Sequence, residues 1–113
     1  MSDVKRDRKI ETFYLELAAK FLVENSASPA YMVTVTNVNI TKNHQYVTIL
    51  LTVLPEEYEK TALKHVRTLR SEFRDLVKSR SAMKIIPTFD FDIDKGEKYR
   101  QKIDILIQKA NKM

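Results

Sequence analysis

The chain of 113 residues has no cysteine and no tryptophan, and a single glycine, Gly96. Without cysteine there are no disulfides, thiolate metal sites or catalytic thiols, a composition that fits a reducing compartment. One glycine cannot build a phosphate-cradling loop, since those loops need two or more at fixed spacing. No apolar run approaches the roughly 20 residues that cross a bilayer. The opening "MSDVKRDRKIE" lacks the apolar core and small-residue cleavage site of a secretion signal, so a cytoplasmic location is expected. Histidine is almost as scarce: His44 falls in an expected turn, His65 in an expected helix, and no serine or acid is spaced to form a triad with either. Neither an enzyme nor a bound cofactor or metal is expected.

What remains is ample for one core. Hydrophobic residues make up 43% of the chain and charged residues 31%, so one domain is expected rather than two, and a folded one rather than a disordered one. The formal charge of +5 and pI near 9.5 point to a polyanionic partner, whether RNA, DNA or a membrane surface.

Along the chain, Ile10, Tyr14, Leu17, Ala18 and Phe21 recur at helical steps over Lys5 to Glu24, and "NSASP" ends that helix. Two alternating segments follow, Tyr31–Thr41 and Tyr46–Leu54, joined by "KNH" as an antiparallel hairpin. "PEEYE" starts a long helix whose apolar set, from Ala62 and Leu63 to Leu76 and Val77, runs to about Ser79. "TFDFDID" is a third strand with Phe89, Phe91 and Ile93 inward, and a helical tail carries Ile103, Leu106, Ile107 and Ala110. Val33, Val35, Leu63, Val66, Phe73, Phe89 and Phe91 are expected in the core.

In "MVTVTNVNIT" (Met32–Thr41) the valines sit on odd positions up to Val35, then on even positions from Val38. A β-bulge resets the register by one residue and returns the later side chains to the buried face. Asn37 stands at the change, and asparagine tolerates the left-handed backbone that many bulges require, so the bulge is placed there. The alternative is that the strand simply ends near Thr36.

Two charged patterns could carry function. Asp90, Asp92 and Asp94 share a strand face and resemble the start of a calcium loop, but Lys95 and Gln101 occupy the places of its glycine and closing glutamate. A solvated face that deters edge-to-edge pairing is the preferred reading. From Lys60 to Lys84 the long helix carries eight basic residues against Glu72 and Asp75. Lys60, Lys64, Arg67, Arg70, Arg74 and Lys78 fall within a sector of roughly 120° at 100° per residue. Such a run is often only a solvated face. Nearly uniform sign over five turns costs helix stability, however, and suits a phosphate-rich partner.

The order of elements, with "RDRKI", "MVTVTNVNIT", "YVTILLTVL" and "KIIPTFDFDID", resembles the ribosome-binding factor A family over roughly Arg6 to Asp94. The resemblance implies an α+β, type II KH-like fold, α-β-β-α(kinked)-β, with a three-stranded sheet, helices on one face and a C-terminal helical tail. Residues 1–94 would form the RNA-binding domain and 95–113 the extension. It also implies a helix kink at Leu69-Arg70-Ser71, where "LRS" replaces the family's Ala-x-Gly, and a partly structural place for Arg74. "SPA" (Ser28–Ala30) departs from the family's Asp-Pro-Arg turn.

The function implied is that of a monomeric assembly factor that docks on immature small ribosomal subunits through rRNA, near the neck and decoding end. It would assist late rRNA maturation and leave before translation begins. Phosphate contact is assigned to Lys60, Lys64, Arg67, Arg70, Lys78 and Arg80, with Lys5, Arg6 and Lys9 secondary. A general KH-like RNA binder and a protein-docking module with a basic face stay open, and a small α/β phosphatase is a distant third.

Overall fold

The computed structural model describes residues 2–111, with side chains from residue 8 onward. Its elements are α1 (Ser2–Asn25), β1 (Met32–Ile40), β2 (Tyr46–Leu54), a 3₁₀ turn (Glu56–Tyr58), α2 (Glu59–Arg67), α3 (Arg70–Arg80), β3 (Thr88–Ile93) and α4 (Lys95–Asn111). The sheet order is β1-β2-β3, with β1 antiparallel and β3 parallel to the central β2. This is the α+β, KH-like arrangement expected from the sequence.

The core follows from parity. Val47, Ile49, Leu51 and Val53 of β2 are buried on one face, with Phe89 and Phe91 beside them on β3. Tyr14, Ala18, Phe21 and Leu22 of α1, Ala62 and Val66 of α2, and Phe73 and Val77 of α3 close over that face. Phe73 sits at the centre, its ring 5.0 Å from Phe89, 5.4 Å from Phe21 and 5.9 Å from Phe91. Val33, Val35 and Leu63 are half-buried at its margin. At the end of α1, Asn25 Nδ2 and Ser26 Oγ donate to the carbonyls of Phe21 and Leu22, at 2.8 and 2.6 Å, the latter carbonyl also accepting the Ser26 N–H.

The register of β1 against β2 does shift. Val35 pairs with Leu51 and Asn37 with Leu50, so Thr36 is the extra residue. Asn37 therefore keeps a place in the ladder, and the extra residue lies one position earlier than the parity change suggested. Nor does Asn37 take a left-handed backbone: among the described residues His44 alone, in the hairpin turn, combines a side chain with positive φ, at 57°. Asn37 instead accepts the N–H of Val38 on its own Oδ1 at 2.8 Å, a local bond open to asparagine in ordinary extended backbone.

The long helix is interrupted at the first residue of the expected triplet, Leu69, and the residue before it. Thr68 and Leu69 separate α2 from α3, and their N–H groups bond three residues back, to His65 and Val66, instead of four. The Thr68 hydroxyl also donates to the His65 carbonyl, competing with the regular ladder. Ser71 lies inside α3, so the break belongs to Thr68–Leu69 rather than to serine at the family's glycine position.

Asp94 connects the bulge to the tail helix. Its carboxylate accepts the Thr36 hydroxyl at 2.6 Å and the Glu97 N–H at 3.0 Å, capping the start of α4. The Thr36 hydrogen bond, followed by the Glu97 amide, holds the Asp94 carboxyl below its ordinary value. A depressed folded-state pKa stabilises the fold above the ordinary carboxylate value, and that contribution disappears as pH falls through the lowered one. Asp94→Ala should cost about 1 kcal/mol at neutral pH by urea denaturation. The gap from the parent should close as the medium is acidified well below the usual carboxylate range. Lys98 adds a second tether, with Nζ 2.7 Å from Glu56 and 3.1 Å from Glu59.

Candidate nucleic-acid interface

The outer flank of α2 and the start of α3 form a shallow hollow of about 460 Å³, lined by Lys60, Leu63, Lys64, Arg67, Thr68 and Arg70. Four of the proposed phosphate-contacting residues therefore share one surface. Lys60 and Lys64 lie one turn apart, both exposed, and neither is within ion-pair distance of a carboxylate among the described residues. A lysine ammonium is a compact charge with three donors on a flexible stem, suited to phosphate oxygens in varied orientations.

The arginines differ. Arg67 Nε donates to the Phe91 carbonyl at 3.0 Å and lies 3.4 Å from Asp90, while its Nη2 lies 3.6 Å from Asp92. Arg70 Nη1 is 3.3 Å from the same Asp90 oxygen. Arg74 donates to the carbonyls of Pro87 and Ile86, both at 3.2 Å. The expectation of a uniform, unneutralised cationic face is thus corrected. Two carboxylates from β3 sit against Arg67 and Arg70, and the unpaired charge of the hollow is the lysine pair.

The reason lies in the open edge of the sheet. β3 pairs only with β2, and the amides of Thr88 and Asp94 point toward β2. In a parallel ladder the alternate residues then direct their backbone groups outward. Asp90 and Asp92 accept the outward N–H groups of Phe91 and Ile93, each at 2.8 Å, and Arg67 takes the outward Phe91 carbonyl. Side chains thus occupy the edge around Phe91 and Ile93, which disfavours pairing with another strand there. Arg67→Gln should lower stability by about 1 kcal/mol, mostly through the Phe91 carbonyl, since exposed ion pairs contribute little. Thermal denaturation checks this.

Lys78 and Arg80 are exposed at the far end of α3, outside the hollow. Lys9 lies on α1 in a separate depression with Arg8, Thr12, Phe13 and Glu16. The side chains of Lys5 and Arg6 fall outside the described ones. Asp94 is occupied by Thr36 and α4, and no three acids or histidines cluster as metal ligands among the described residues. Sequence reading missed Asp90, Asp92 and Thr68 as parts of this region. The alternating aspartates were visible, but not that they would meet Arg67 and Arg70.

The family model described as Ribosome-binding factor A matches residues 5–107. The chain is 25% identical over 113 residues to ribosome-binding factor A of Thermodesulfovibrio yellowstonii, covering 99% of this chain and 96% of that one. It is 31% identical over 80 residues to the Staphylococcus saprophyticus protein of that name, 70% of each chain. Among solved structures, ribosome-binding factor A of Thermus thermophilus superimposes with a TM-score of 0.66 at 16% identity, covering 76% of this chain and 93% of that one. A Thermotoga maritima solution structure gives 0.64 at 21% identity, with 79% and 87% covered. These two similarities establish the fold; the match over residues 5–107 establishes the lineage, and the chain belongs to the ribosome-binding factor A family.

Proposed function

We propose that this chain is a non-enzymatic assembly factor of the small ribosomal subunit, held on immature particles by rRNA phosphates against the α2–α3 flank. Ribosome binding is named by its family. The observation that carries the RNA reading is the exposed Lys60–Lys64 pair beside the helix break, cationic on a surface whose arginines are already engaged. Residues 1–94 supply the docking unit in this proposal and 95–113 an extension.

Side chains that contact phosphate without reading base edges give affinity that falls steeply with salt. Selectivity then comes from the shape of folded rRNA, which complements the hollow. Lys78 and Arg80 extend the contact along α3, with Lys5, Arg6 and Lys9 as outlying contributors. The protein acts as one copy in the cytoplasm, assisting late rRNA maturation and leaving before subunits join.

Gradient fractionation of a cell extract at low and high salt tests this. Comigration with free small subunits, absent from joined ribosomes and weakening as salt rises, is the expected outcome. Equal partition into joined ribosomes would overturn the assembly role, and migration with bulk RNA alone would leave only a general RNA binder.

A further inference from the structure

The polar contacts that tie helix α4 to the body come from its first turns, and Asp104 and Ile105 line a cleft with Thr52, Val53 and Leu54. Asp94 caps its start, and Lys98 and Lys102 reach Glu56, Lys98 also reaching Glu59. Beyond Lys102 every described residue is exposed. Tyr99, Ile103, Leu106 and Ala110 follow a four-three-four spacing, which on a helix aligns them in a single stripe. Tyr99 is 67%, Leu106 65% and the adjoining Ile107 53% exposed, while Ile103 between them is 37% exposed. Apolar side chains left in water along three turns of an ordered helix call for a covering surface.

Charge selects what covers it. Positions flanking the stripe carry Arg100, Lys102 and Lys109. The acids of the helix, Glu97 and Asp104, lie toward its other side. Arg100 touches Glu97 at 3.4 Å, but its side chain remains 72% exposed, with further N–H donors open. Lys102 stands 3.5 Å from a Glu56 oxygen that Lys98 approaches more closely, at 2.7 Å. A second copy of the chain would set basic flank against basic flank in either orientation, because both sides of the stripe carry cations. A nucleic acid leaves the apolar centre unmatched.

We infer that the Tyr99–Ile103–Leu106–Ala110 face of α4 docks an amphipathic helix of a protein partner with apolar residues at its seam and carboxylates on its flanks. The apolar seams bury each other, and the partner's acids meet Arg100, Lys102 and Lys109 at the rim. This surface is separate from the lysine hollow and does not depend on it.

The test uses the full chain and a three-heptad synthetic peptide with leucine at the seam and glutamate on the flanks, with a lysine-flanked version as comparison. Calorimetric titration should show the acidic peptide binding about tenfold or more tightly than the basic one. Leu106→Asp should reduce the acidic peptide's affinity by a similar factor, and Tyr99→Glu should do the same. Both positions are exposed, so the melting temperature should stay that of the parent, and Lys60→Glu/Lys64→Glu should leave peptide binding unchanged. Equal affinity for the two peptides, or no binding of either, would overturn the inference. So would a concentration-dependent dimer abolished by Leu106→Asp, or tighter Leu106-dependent binding to phosphatidylglycerol vesicles than to the acidic peptide.

Discussion

Replacing Lys60 and Lys64 together with glutamate is expected to weaken binding to immature small subunits by about 100-fold at low salt. Each reversal removes one phosphate contact and adds a repulsive charge, and a factor of ten per site corresponds to about 1.4 kcal/mol. The slope of log affinity against log salt should become shallower by about two phosphate contacts' worth, since two counterion-releasing groups are gone. Stability should hardly change. Both side chains are exposed, and the double reversal only exchanges one like-charged pair a turn apart for another. Affinity measured over a salt series, beside a denaturation curve, separates the two effects. Reversing Arg67 would not, because that residue also holds the Phe91 carbonyl and sits against Asp90 and Asp92.

The second large effect is on folding. Phe73→Ala should destabilise the protein by about 3–5 kcal/mol, the range for emptying a buried aromatic site. Phe73 is fully buried, and its ring joins Phe21 of α1 to Phe89 and Phe91 of β3. Neighbours held on two separate elements, α1 and β3, cannot both close on the void left in α3. A domain stabilised by roughly 5–15 kcal/mol in total has little to spare. Chemical denaturation should therefore show a large fall in midpoint, and subunit binding would be lost through unfolding. Phe73→Leu keeps much of the volume and should cost about half as much or less.

Much of the fold was legible because period and parity are local. Alternation in Tyr46–Leu54 put Val47, Ile49, Leu51 and Val53 on one face, where the structure buries them. The change of parity in β1 announced a register shift, since valines return to the core only if one residue is skipped. Its exact residue was less accessible: Thr36 is selected by a partner 58 positions away, Asp94, which takes its hydroxyl. The helix break was placed late for a related reason. Thr68 can bond back along the chain as readily as Ser71, and nothing local ranks one above the other.

The charged face was only half legible. Periodicity gathered Lys60, Lys64, Arg67 and Arg70 onto one flank, and they do line one hollow. It could not show that β3 would offer Asp90, Asp92 and an unpaired carbonyl to the arginines, because that depends on how helix and strand edge meet in space. The tail helix is the same case inverted. A stripe through Ile103, Leu106 and Ala110 suggests packing in any sequence, and here Leu106 and Ala110 stay exposed.

The most direct measurement is an NMR titration of isotopically labelled protein with a folded fragment of small-subunit rRNA, following lysine side-chain and backbone signals together. The largest shifts should fall on Lys60, Lys64 and the Thr68–Leu69 break, fading as salt is added. Shifts confined to the hairpin turn or to α4, with the Lys60 and Lys64 signals unmoved, would remove the proposed grip on rRNA phosphates.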